Sequence, residues 1–122
     1  MLALTHLADL AQDDEVAEVA AIVLDKFFFT LAINSFQGVF GSTHGRSDAQ
    51  SVKGGRLEST AGIGRLLWGQ GVYNERNDGV VALACAESYE LPPLLAQLAN
   101  AQPVELWSRE RPAGVFEEWC DR

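Results

Sequence analysis

The sequence predicts a mainly α fold built of helical hairpins in a bundle, with a minor β-hairpin. Residues 14 to 36 carry apolar side chains three and four positions apart over a long stretch, which is the period of one helix face. Arg56 to Gln70, RLESTAGIGRLLWGQ, has the same spacing, and Pro92-Pro93 introduces another such segment. Strand-like character is confined to Val39-Phe40 and to the alternation of Val104 to Ser108.

The first helix is expected over Leu2 to Leu10, with Leu4, Leu7, Ala8 and Ala11 on one side. Gln12-Asp13-Asp14-Glu15 then supplies an N-cap and acidic first-turn residues, where free N–H groups and the helix dipole favour negative charge. The second helix is expected from Asp14 to Phe36. Val16, Val19, Ala20, Val23, Leu24, Phe27 and Leu31 form its core stripe, while the opposite face begins with Glu15, Glu18 and Asp25 and turns apolar through Ile22, Phe29, Ile33 and Phe36. A helix apolar all round in its second half should enter the interior as it goes.

Residues 37 to 55 are rich in Gly, Ser and Thr and form a loop. The third helix follows over Arg56 to Gln70, with Leu57, Thr60, Ala61, Gly64, Leu67 and Trp68 inward and Glu58 and Arg65 as a charge pair. Gly62 and Gly64 each weaken a helix interior by about 1 kcal/mol relative to Ala, so a neighbouring backbone should approach closely there. Gly69-Gln70-Gly71 stops it. Tyr73 to Gly79 is a polar loop, and the three alanines of VALACA favour a helix over a strand for Val80 to Ser88. Proline at a first turn then opens a helix carrying Leu94, Leu95, Leu98 and Ala99, which Asn100 stops. No fixed-period repeat or low-complexity tract occurs.

The chain has 122 residues, the size of one domain, with 48% hydrophobic and 21% charged residues and a formal charge of −8. That charge repels a polyphosphate backbone, so nucleic acid is not an expected partner. MLALTHLADL lacks a basic n-region and meets Asp13-Asp14-Glu15 too soon for a signal peptide or membrane span, which leaves a cytoplasmic location as the default. Cys85 and Cys120 are far apart without a CxxC or Cys/His cluster, so neither metal nor cofactor is expected. Cys85 follows Val80 to Ala84 and is expected to be reduced and buried.

Candidate chemistry gathers in QGVFGSTHGRSD. His44 stands between Gly41 and Gly45, with Arg46 next, and the glycines allow a ligand near the backbone. An imidazole serves as a general base near neutral pH, and a guanidinium holds a carboxylate or neutralises an enolate-like charge. The alternative is a surface histidine in a turn. Asp48 is the group that would orient Arg46. Asn34 shares a stripe with Val16, Val23 and Phe27, so its amide either caps loop backbone groups at the helix end or holds a substrate oxygen in a cleft. Tyr73 as acid, with Glu75 and Arg76, competes with a plainly solvated loop. No GxSxG nucleophile motif and no GxxxxGK[ST] phosphate loop is present.

NSFQGVFGSTHGRSD, followed by KGGRLESTAGIGRLLWGQG and SYELPPLLAQLA, resembles segments of large bacterial (α/α)-toroid proteins, broadly the heparinase-like and other polysaccharide lyases. The resemblance implies helices whose end loops line a cleft for an acidic oligosaccharide. Carried over, Asn34 and Asp48 would bind substrate, His44 would be base or carboxylate neutraliser, Arg46 would hold an acidic group and Tyr73 would be the acid. A complete toroid is far longer than this chain, so the resemblance also implies a fragment, or a reduced domain that completes its core by self-association. Phe116 and Trp119, with the face of Ile22, Phe29 and Ile33, are the candidate interface. Two functions follow as expectations: an acidic-polysaccharide-processing module or remnant, and a non-catalytic helical interaction module.

Overall fold

A computed structural model describes residues 1–41, 49–101, 103, 105 and 107. The fold is mainly helical with a two-stranded antiparallel hairpin. Helix α1 spans Leu2–Leu10 and α2 spans Asp14–Ile33. Asp13 caps α2, its carboxylate accepting from the N–H groups of Glu15 at 2.9 Å and Val16 at 3.4 Å. The connection is so short that α1 folds back along α2 as a helical hairpin, the most extensive contact between elements among the described residues. The rest is the hairpin β1 (Ser35–Phe36) and β2 (Val39–Phe40), the short helix α3 (Ala49–Lys53), a 3-10 turn at Gly55–Leu57, and helices α4 (Ser59–Trp68), α5 (Asp78–Ala84) and α6 (Pro93–Asn100).

The core is built on α2. Leu24 and Phe28 are fully buried, with Ala20, Leu31 and Ala32 beside them, and Ile63, Trp68, Val80, Leu83 and Leu95 close over that side from α4, α5 and α6. The buried stripe is therefore rotated from the expected one. Val16, Val19, Val23 and Phe27 are exposed, and Phe28 takes the central place. Two stripes compete on a helix this apolar, and the winner is the one that α1 and α6 cover.

The second half departs from expectation in several places. Arg56 to Gln70 is not one helix, because Glu58 is extended (ψ 151°) between the 3-10 turn and α4. The Asn74 amide donates to the carbonyls of Arg56 at 2.9 Å and Glu58 at 2.7 Å, bolting the polar loop to that junction. Glu58 is buried and accepts from the Thr60 hydroxyl at 3.4 Å, and Arg65, expected as its charge partner, donates to the Gly69 carbonyl at 2.7 Å. The region 80–88 is helical only to Ala84. Val80 and Leu83 face inward, and Cys85 just past them is exposed rather than buried. The alternation expected at Val104 to Ser108 falls largely outside the described residues, as do Phe116, Trp119 and Cys120.

Side chains fasten the connections. Asp9 accepts from the N–H groups of Ser88 at 2.7 Å and Glu87 at 2.8 Å, and these two bonds hold its carboxyl below its ordinary range. The Tyr89 hydroxyl donates to Asp25 at 2.7 Å; burial first, then this carboxylate, pushes the phenol well above its ordinary value. Asn100 donates to the Trp68 carbonyl at 3.2 Å and accepts from Gln70 at 2.7 Å, joining the ends of α4 and α6.

Helix α2 ends at Ile33 rather than Phe36, because Ser35 and Phe36 pair with Phe40 and Val39 around a two-residue turn. Both turn residues have positive φ, 51° at Gln37 and 77° at Gly38, the backbone twist that tight hairpins need. Gly38 is seated against the chain leaving α4. A Cβ on it would stand 2.1 Å from the Gly71 nitrogen, and one on Gly71 would stand 2.4 Å from the Ala61 carbonyl oxygen. Backbone thus packs on backbone between the hairpin and α4; of the two helix glycines where a neighbouring backbone was expected, Gly64 meets the Gln70 carbonyl oxygen, whereas Gly62 is crowded instead by the side chains of Asn77, Val80 and Tyr73.

Gly38→Ala should therefore cost more than left-handed strain alone, about 3 kcal/mol or more. Gly69→Ala, with φ 79° and open space around it, should cost about 1–2 kcal/mol. Urea midpoints of the two variants test the difference, and equal losses would show that the Gly38–Gly71 contact is not tight.

Candidate functional site

Three surfaces compete as the functional site: a groove at the end of α2, a groove beside α1, and the outer face of α2. The first begins at Asn34, which closes the helix. Its backbone N–H and its side-chain amide both donate to the Thr30 carbonyl, at 3.2 and 2.9 Å, and its own carbonyl accepts from Gly41 at 2.9 Å. One residue thus ends the helix and fixes the exit of the hairpin. Asn34 also lines a groove of about 530 Å³ with Ile33, Phe36, Gly41, Leu98 and Pro103, whose walls are largely apolar. The chain leaves this groove at Gly41, and His44, Arg46 and Asp48 lie outside the described residues.

Tyr73 stands apart from Asn34's groove. It is 56% exposed on the loop before α5, with its ring edge against Gly62. Its neighbours Glu75 and Arg76 line a second groove of about 500 Å³, together with Phe27, Ser59, Thr60 and Asp78. The Asn74 side chain, which the sequence did not single out, fixes this loop: its carbonyl oxygen accepts from the Arg76 N–H at 2.8 Å, and its backbone carbonyl accepts from the Asn77 amide. Its signal was the Asn-x-x-Asn spacing before a helix, the pattern of local side-chain to backbone bonding.

The third surface is the outward face of α2. Val19 is 54%, Ile22 59% and Phe29 42% exposed, and with Lys26 and Ile33 they recur at alternating steps of four and three along a helix of 20 residues, about 30 Å long. Glu15 and Glu18 flank the N-terminal half of this face. Steps of three and four are also the spacing that helix-pairing seams use. Scattered exposed hydrophobics are ordinary, whereas an aligned row on one helix marks an interaction surface.

Among the described residues no group of His, Cys, Asp and Glu is arranged to hold a metal ion, and no helix is long and apolar enough to cross a membrane. No protein-family model, curated protein or solved structure matches the chain.

The geometry of Asn34 yields a direct test of its capping role. Asn34→Ala should lower stability by about 1 kcal/mol through loss of the bond to Thr30. Asn34→Asp should cost more, because it sets a carboxylate against a carbonyl at the negative end of the helix. Thermal denaturation at neutral pH reads both, and an unchanged midpoint for the aspartate variant would remove the capping assignment.

Proposed function

We propose that this protein is a non-catalytic helical interaction module that self-associates through the outer face of α2. The observation that carries the reading is the row Val19, Ile22 and Phe29, aligned on one helix and facing solvent. The interior is already complete without it, since Leu24 and Phe28 on the other side of α2 are fully buried. Apolar area beyond the needs of the core gains from burial at about 25 cal/mol per Å², and a second chain can supply that burial.

The acidic-glycan reading, implied by the resemblance of the THGR segment, needs Asn34, His44, Arg46 and Asp48 to converge. Asn34 has its amide on Thr30, and the other three lie outside the described residues. The apolar walls of the groove beside Asn34 suit a charged sugar less well than a hydrophobic group.

Sedimentation velocity over a wide concentration range should show the chain passing from monomer to dimer. Ile22→Glu and Phe29→Glu should remain monomeric with unchanged helical circular dichroism, because both positions lie on the surface of α2. A wild-type chain that stays monomeric at every concentration would refute the reading.

A further inference from the structure

The charges on α2 define how two copies would meet. Lys26 is the one cation of this helix, against Asp14, Glu15, Glu18 and Asp25. The positions three and four residues from it on either side are Ile22, Val23, Phe29 and Thr30, so no acid on its own helix is spaced to pair with it. Asp25 is held by the Tyr89 hydroxyl at the flank. Lys26 is exposed in the middle of the apolar row, and Glu18 is exposed one turn before Ile22.

We propose that two copies pair through α2 in antiparallel orientation, with a twofold axis near Ile22 and with Lys26 of each chain against Glu18 of the other. The proposal rests on the self-association reading above. Positions 18 and 26 lie four residues either side of Ile22, so a twofold axis there superposes each on the other's partner. The same operation sets Ile22 on Ile22 and carries Phe29 to the height of Glu15, where the glutamate's methylenes cover the ring's rim. A parallel pair in register does the reverse. It sets Lys26 against Lys26 and brings Asp14, Glu15 and Glu18 of both chains to one end, where like charges and two helix N-termini crowd together. An isologous antiparallel contact also closes on itself and leaves no open end for further growth.

Charge reversal tests the register. Glu18→Lys and Lys26→Glu should each weaken the wild-type dimer about tenfold, since every dimer contains two such pairs. Mixing the two variants in equal amounts should restore dimerisation, as should the double variant Glu18→Lys/Lys26→Glu, because opposite charges again face each other. Within one chain the two positions are two turns apart and do not compensate. Sedimentation equilibrium at low salt reads the dissociation constants, and helical circular dichroism confirms that each variant folds. A dimeric wild type whose weakened variants are not rescued by mixing would overturn the antiparallel register and leave self-association standing. A monomeric wild type would overturn both.

Discussion

Helix α2 has two apolar faces, and the domain covers one of them. This constraint organises the rest. The covered face holds Leu24 and Phe28 without exposure, and α1, α6 and the inward sides of α4 and α5 close around them. The Phe27 and Phe28 rings meet edge to face at 5.5 Å, and Tyr89 lies 6.0 Å from Phe28, so aromatic packing continues from the core towards the flank of the helix. The opposite face keeps Val19, Ile22 and Phe29 in solvent. A chain of this size gains little by leaving such a row wet, and this is the ground on which association is proposed.

The second half of the molecule is tied together, and to the first half, by polar and backbone contacts as well as by apolar ones. The amides of Asn74 and Asn100 each bind main-chain carbonyls on a different element. Asp9 collects two N–H groups from the segment after α5, and Tyr89 reaches Asp25. Gly38 and Gly71 let two turns touch backbone to backbone. These contacts fix loops against helices that are short, and short helices need tertiary support to persist.

Much of this was legible in the sequence. The Asp13 cap, the proline-led start of α6, the alanine-rich α5 and the backbone close to Gly64 all follow from local chemistry that tertiary structure left alone. The errors share one physical origin. Where a segment is apolar on several sides, periodicity names candidate faces but not the neighbour that will choose between them. Phe28 was passed over for Phe27 because both fit a stripe, and the choice fell to α1 and α6. Ser35 and Phe36 read as helix until the positive φ of Gln37 and Gly38 turned them into a strand. Glu58 read as a helical residue paired with Arg65, yet it is buried and extended at a junction held by Asn74, a partner 16 residues away. For the site, Asn34 was read within a helix that ran on to Phe36; it stands instead just past Ile33, and its amide bonds the Thr30 carbonyl of its own helix. The outer face of Ile22, Phe29 and Ile33 was legible as apolar; its charge pattern gained meaning only once the core was known to lie on the other side.

The most direct measurement is solvent paramagnetic relaxation of the methyl groups of Val19 and Ile22, compared with those of the buried Leu24, at high and low protein concentration. The account predicts that Val19 and Ile22 are shielded from the probe at high concentration and become accessible on dilution, while Leu24 is shielded throughout. Equal accessibility of Val19 and Ile22 at both concentrations would contradict it, because the second face of α2 would then have no partner.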